Sequence, residues 1–376
     1  MYRNVVNDYK IELVAGEAGL TNEVKWVHMV ENEEISSFLD GQEIVFTTGI
    51  GISSDEELLS LIKHNVKNGA SGMVINKGPY IKRITKEMVD YCNKSGFPLF
   101  AVPWEEKMAR IMKVFSFYIL EEEKKKIELS SAIKNAILSS NQEVLFLPTL
   151  EKYGFKPQGN FRVALFDVVD NSKLPQIKKD LEFLLENKNL DVAITVMEDV
   201  IFILFSNFNN QIITQLNKEI EEIIHLKYKN VHYFFSIGGE INQLQAIKKS
   251  YKQALFVQKV LKNKKFGFYE DIGAYQVLFE LSYTSGVRSF VTTNLDVLSN
   301  YDLVKNTNYT EVLRLYIESN GSVMEVADKL YLHRNTINYR ISRIEELMNC
   351  NLDEFNTRLN IALAFMLLDV FGNEST

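Results

Sequence analysis

Between Lys329 and Arg343 the chain carries no acidic residue and presents His333, Arg334, Asn335, Thr336, Asn338, Tyr339, Arg340 and Arg343. In a protein with a formal net charge of −7 this is a local basic window. An arginine guanidinium can give two parallel hydrogen bonds to a guanine edge, and an asparagine amide can do the same for adenine. Hydroxyls and the remaining arginines suit phosphate oxygens. The chemistry on offer is recognition of double-stranded DNA rather than the making or breaking of bonds. A basic helical face is also commonly just a solvated surface, so the elements that hold these residues must decide between the two.

Ile337, Ile341, Ile344 and Met348 recur at spacings of 4, 3 and 4, which predicts a helix from Arg334 with these four on its inner face and the polar set outside. Tyr331-Leu332-His333 reads as a tight turn before it. Upstream, Ser322 and Glu325 have the spacing of a capping box for a short helix whose inner face is Val326, Ala327 and Leu330. Thr310 is expected to cap a helix through Glu318 that Asn320-Gly321 stops. Two short helices joined by a three-residue turn, with small Ala327 at their close approach, fit a helix-turn-helix.

The run Leu332 to Ile341, followed by Arg343-Ile344-Glu345-Glu346-Leu347 and Arg358 to Leu363, resembles the carboxyl-terminal helix-turn-helix of the purine catabolism regulator (PucR-type) family of transcription factors. Leu13 to Leu20, Val24 to His28, Gly41 to Gly49 and Phe97 to Pro103 are similar to that family's sensor domain. Ser236-Ile237-Gly238-Gly239 and Ser250 to Ala254 resemble its GGDEF-like middle domain. The resemblance implies a bacterial, effector-responsive regulator, commonly dimeric, that controls genes of nitrogen-source use. Its effector is a purine catabolite, an amino acid or another metabolite. It divides the chain into a sensor domain (1–120), a helical linker and dimerisation segment (121–157), a degenerate GGDEF-like domain (158–270) and a DNA-binding domain (290–376).

In the amino-terminal part, Glu43–Thr48, Gly72–Asn76 and Pro98–Val102 read as strands, with helices over Ser54–Asn68 and Thr85–Ser95 between them. This alternation predicts a parallel sheet flanked by helices, with ligands bound beyond the carboxyl ends of its strands. Trp26, His28, Thr47, Thr48, Gly49, Asn76 and Lys77 are the candidate ligand contacts: hydroxyls, an amide and an ammonium suited to a planar, amide-rich metabolite. Core packing for Trp26 and a plain turn at Thr-Thr-Gly are the structural alternatives. From Glu105 to Ser140 there is neither Gly nor Pro, which predicts one long helix or two joined ones. Met108, Ile111, Phe115 and Tyr118 form an apolar stripe that gives way to the charged run Glu121–Lys126; the two readings are an interdomain helix with a wet face and, slightly favoured, a dimerising seam.

The middle segment reads as α/β with antiparallel character: strands at Phe161–Val169, Asp191–Met197, Val200–Phe205 and Val231–Ile237, helices at Gln211–His225 and Gln243–Leu261, and a hairpin at Glu198-Asp199. From about Asp271 onward the chain reads helical. The overall fold class is multidomain: α/β, then α+β, then an all-α bundle.

An enzyme reading, a nucleotide-binding or nucleotide-cyclising GGDEF-type protein, is the alternative. Such cyclases carry Gly-Gly-Asp/Glu-Glu-Phe at a hairpin, where carboxylates hold Mg²⁺. Here the hairpin is Met197-Glu198-Asp199-Val200, with Met197 in the substrate's space, and Gly238-Gly239-Glu240 follows a different strand. The five histidines are scattered, with no catalytic set, cofactor loop or metal-ligand spacing among them. Two cysteines far apart argue against a disulfide framework. No apolar run approaches the roughly 18–20 residues of a membrane span. No secretory signal is read at MYRNVVNDYK, so the cytoplasm is the expected compartment. With 24 Phe, 17 Tyr, 18 Gly and 6 Pro, a disordered or collagen-like chain is excluded.

Overall fold

The structure is a computed structural model that describes residues 9–139, 141–188, 191–229, 231–261, 264–282 and 284–372. The MYRNVVNDYK terminus up to Asp8 and the last four residues of the 290–376 segment lie outside the described residues. The chain divides into two compact units, Met1–Glu128 and Leu129–Thr376.

The first unit is built on a five-stranded sheet of order β1-β5-β4-β3-β2, with β1 Glu12–Ala15, β2 Trp26–Met29, β3 Glu43–Thr47, β4 Gly72–Lys77 and β5 Leu99–Pro103. The three central strands are those expected, and β2 to β5 are parallel. β1 runs antiparallel on the edge, and neither β1 nor β2 is legible as a strand. Every residue of β3 is buried, as a strand covered on both faces requires. Alternation sends Val45, Met73, Ile75 and Leu99 toward helices α1 (Asp55–Lys67) and α2 (Lys86–Ser95). Ile44, Phe46, Val74 and Phe100 point the other way, toward Met108, Ile111 and Phe115 at the start of α3 (Met108–Leu138).

That packing corrects the dimer seam. Ile111 is fully buried and Phe115 is 3% exposed, so the Met108-Ile111-Phe115-Tyr118 stripe serves the unit's own core. Its spacing reported a helix face seeking apolar cover, and the sheet supplies that cover.

The second unit contains the sheet β11-β9-β6-β8-β7, with β10 paired to β6. Its strands are β6 Gln158–Val168, β7 Val192–Met197, β8 Val200–Ser206, β9 Tyr233–Ile237, β10 Ile241–Gln243 and β11 Phe266–Phe268. All pairs are antiparallel except β9 with β11. Phe166 and Val168 pack toward α4 (Leu174–Asn187) and α5 (Asn210–Lys227), while Phe161 and Leu165 face Ile133 and Ala136 of α3 and Ala254 of α6 (Ile247–Val260). Glu198 and Asp199 take φ of +49° and +62°, the two-residue turn that joins β7 to β8 as expected.

Five helices close the chain: α7 Ser285–Lys305, α8 Tyr309–Glu318, α9 Val323–Leu330, α10 Arg334–Met348 and α11 Phe355–Phe371. Ser285-Gly286 starts α7, where the Thr284 hydroxyl accepts the Val287 N–H. Asp369 of α11 accepts hydrogen bonds from Arg314 at 2.9 Å and from the Tyr275 hydroxyl at 3.0 Å.

Candidate nucleic-acid interface

The frame around α10 is set by local chemistry. Leu298, Val312, Val326, Ile337 and Ile344 are fully buried together, and Ala327 sits where α9 and α10 meet. At the end of α9, Tyr331 takes a left-handed φ of +53° while Leu332 N–H reaches back to the Ala327 carbonyl at 2.9 Å. Tyr331 itself is 95% exposed. The imidazole Nδ1 of His333 then accepts the Asn335 N–H at 3.2 Å and caps α10.

Two capping expectations are corrected. Thr310 lies inside α8, whose first amides are held by Asp302 of α7. That carboxylate accepts from Tyr309 N, Thr310 N and Thr307 Oγ1 at 2.8, 2.8 and 2.6 Å. Burial pushes the Asp302 carboxyl up, but these hydrogen bonds outweigh it and hold the group below its ordinary value. Ser322 does accept the Glu325 N–H at 3.3 Å, whereas its own N–H goes to the Ser319 carbonyl rather than back to Glu325, leaving the capping box half made.

The eight predicted contact residues are all gathered on or just before α10, but in three different conditions. Arg334, Asn335, Thr336, Asn338 and Tyr339 are exposed, and among the described residues their side chains make no hydrogen bond or ion pair. Arg340 donates to Asn308 Oδ1 at 2.9 Å, and Arg343 pairs with Glu346 at 2.6 Å, which with Tyr301 holds the guanidinium above the ordinary arginine value. His333 spends its Nδ1 on the cap. Exposed Ser342 stands on the same outward face at helical spacing from Asn335 and Tyr339 and is missing from the sequence-based set.

In the first unit, Thr47, Thr48, Gly49, Asn76 and Lys77 share the carboxyl edge of the parallel sheet. A residue absent from the prediction dominates there. The Glu31 carboxylate accepts from Thr47 Oγ1 at 2.8 Å, Thr48 Oγ1 at 2.7 Å, Thr48 N at 3.0 Å and Gly49 N at 3.0 Å. Gly49 has φ of +81°, where a side chain would be strained and would meet Ile81. Asn76 is buried and donates to the Pro103 carbonyl at 3.2 Å, and Lys77 is exposed. Trp26 does not join them. It is 49% exposed and opposite Glu43, at the far end of β3, about 13 Å along the strand from Thr47 at roughly 3.3 Å per residue. His28 lies between, opposite Val45. A cavity of about 460 Å³ opens at the carboxyl edge between Ser53, Asp55, Tyr80 and Arg83. A smaller one of about 180 Å³ lies at the opposite edge against Asn22, Ser71, Phe100 and Phe115.

The Gly238-Gly239 turn leads into β10 instead of directly into a helix. It is filled from within: Ser250 Oγ donates to the Gly239 carbonyl at 2.8 Å, Gln253 accepts the Gly239 N–H at 3.1 Å, and a Cβ on Gly238 would lie 2.0 Å from the Ser250 carbonyl. Arg162 is 6% exposed, yet it reaches the Gly238 carbonyl and the Glu270 carboxylate at 3.1 and 3.0 Å. Among the described residues no group of three His, Cys, Asp or Glu side chains is placed to hold a metal, and no helix is long and apolar enough to cross a membrane.

Comparison with known proteins fits this geometry. Residues 3–119 match the purine catabolism regulatory protein-like family, and residues 309–367 match the PucR C-terminal helix-turn-helix domain. Among relatives in Bacillus subtilis (strain 168), the proline-responsive transcriptional activator PutR is 25% identical over 211 residues, covering 53% of this chain and 51% of its own. The DNA-binding transcriptional activator AdeR is 26% identical over 227 residues, covering 57% and 53% respectively. The purine catabolism regulatory protein is 30% identical over 110 residues, which is 29% of this chain and 21% of that one. The chain thus spans about half the length of the two activators it matches. It carries a PucR-family domain at its amino-terminal end and a PucR C-terminal helix-turn-helix domain near the other.

Proposed function

We propose that the protein is a sequence-specific, DNA-binding transcriptional regulator that answers a small metabolite and acts in the cytoplasm. The observation that carries this is the outward face of α10: five polar side chains without internal partners among the described residues, on a helix whose other face is locked into a core. A rigid element with unspent donors is what reading a major groove requires. Arg334, Asn335, Thr336, Asn338 and Tyr339 are assigned to bases and nearby phosphates, Arg340 and Arg343 to phosphates after release from Asn308 and Glu346, and His333 to positioning the helix start.

The metabolite is a purine catabolite, an amino acid or another product of nitrogen-source breakdown, taken up by the first unit at the edge formed by Thr47, Thr48, Gly49, Asn76 and Lys77 in competition with the Glu31 carboxylate that holds the first three. The relatives support this breadth, since their names include a proline response and purine catabolism. The middle sheet is read as a degenerate GGDEF-like domain, and the four-part division at 120, 157 and 270 as the working domain map. We read the protein as a self-associating regulator and not an enzyme, because the β7–β8 hairpin carries Met197-Glu198-Asp199-Val200 where a cyclase has its glycine pair, and the Gly238-Gly239 turn on another strand is filled by Ser250 and Gln253.

The test is a footprint and gel shift of the purified chain on DNA upstream of its own gene. Retention of one sequence over competitor DNA at physiological salt is the expected result, and equal affinity for any duplex would overturn sequence-specific regulation.

A further inference from the structure

We propose that the middle of α3 is a self-pairing surface that meets the same stretch of a second copy of this chain in antiparallel orientation, about a two-fold axis at the Glu123–Lys124 junction. The proposal deepens the reading above, from which it takes only that the protein pairs with itself.

Three observations carry it. Residues 120–127 are exposed one after another, so among the described residues of the first unit nothing covers these more than two turns of helix. A short helical stretch without tertiary packing is marginal in water. Next, Phe117, Leu120 and Ile127 are 55%, 46% and 69% exposed and lie on one face, opposite to Ile111 and Phe115, whose face is buried.

The third is charge. Glu121-Glu122-Glu123 is followed directly by Lys124-Lys125-Lys126, at the midpoint of the helix, and among the described residues only Lys124 of these six makes an ion pair, with Glu128. The pattern distinguishes orientations. A parallel copy sets three carboxylates beside three carboxylates and three ammoniums beside three ammoniums. An antiparallel copy sets each acidic triplet beside a basic one and brings Leu120 next to the partner's Ile127. A two-fold contact must be complementary to itself, and this run is so only when reversed.

Sedimentation equilibrium of the full chain tests the pairing. A dimer is expected, weakened at least about tenfold by Glu121→Lys, Glu122→Lys and Glu123→Lys together, which corresponds to roughly 1.4 kcal/mol. Adding Lys124→Glu, Lys125→Glu and Lys126→Glu to that variant exchanges the triplets and should restore the dimer, with far-UV circular dichroism confirming an intact helix. A monomeric parent, or no recovery on exchange, overturns the proposal.

Orientation is read by disulfide formation in a Cys350→Ser background, with Cys92 left in place because it is buried and its thiol is pushed up to about 12. Leu120→Cys chains mixed with Ile127→Cys chains should cross-link to each other while neither does so alone. Two Leu120 positions in the antiparallel pair are about 10 Å apart along the axis at roughly 1.5 Å per residue, beyond disulfide reach. Cross-linking of Leu120→Cys to itself means a parallel pair and overturns the proposal. Loss of DNA binding with the cross-link retained would instead count against the regulator reading and leave this one standing.

Discussion

The carboxyl edge of the first sheet and the outward face of α10 are both rich in hydroxyls, amides and backbone donors, yet they stand in opposite conditions. At Thr47–Gly49 four donors converge on one carboxylate of the same chain. The side chains of Arg334, Asn335, Thr336, Asn338 and Tyr339 are exposed and, among the described residues, uncommitted. The first arrangement gives up nothing to stay folded. The second keeps its hydrogen-bonding capacity for something outside the molecule, and its stability comes from the apolar face beneath. Polar composition alone does not mark a binding surface; what matters is whether the fold has already consumed it.

The contrast is sharpest if the two faces of α10 are broken separately. Ile337→Asp should unfold the carboxyl-terminal module, since an unpaired buried charge costs several kcal/mol, on the order of 3–5. Loss of that module's helicity is the check, and an intact domain would show that the core is not where it is placed. Next in size, Arg334→Ala and Asn335→Ala should each weaken binding to the cognate duplex by roughly 1–3 kcal/mol with unchanged melting temperature. Arg343→Ala should do less, because its guanidinium is already engaged by Glu346. Unchanged gel-shift affinity in the first two would put the reading face elsewhere.

Glu31→Ala should show the reverse pattern, a lower melting temperature for the first unit with DNA affinity unaffected, at a cost of about 1–3 kcal/mol for donors left unsatisfied. A neutral result would mean water replaces the carboxylate freely. The smallest effect concerns Asp302, whose carboxyl is held below its unfolded value. Its contribution is complete above the unfolded value of about 3.9 and disappears as pH falls through the lower folded value. Parallel acid titrations of the parent and Asp302→Asn should differ in slope only in that acidic range, and identical curves would remove Asp302 from the account.

Much of this is legible in the residues. Strong periodicity marks β3, β4, α1, α2 and α10, because a buried face imposes its spacing on the sequence. Edge strands β1 and β2 escape because four half-covered residues carry too little pattern. With β2 goes Glu31, which lies just beyond its end; with that strand in place, the parallel register would set the following residues beside Thr47 and Thr48. The stripe from Met108 to Tyr118 is read correctly as helical and assigned the wrong neighbour, since spacing tells that a face is covered and not by what. The local acceptors of Thr310 and Glu325 lose to the Asp302 carboxylate and the Ser319 carbonyl, partners that only the folded chain brings near.

The closed turn at Glu31 has a consequence for any acid that would use it. Such a guest competes with a tethered carboxylate whose effective concentration never falls, so its apparent affinity is its intrinsic one scaled by the fraction of molecules in which Glu31 has swung away. A weak response threshold is then a property of the host's own latch, adjustable by a single residue without touching the guest's contacts.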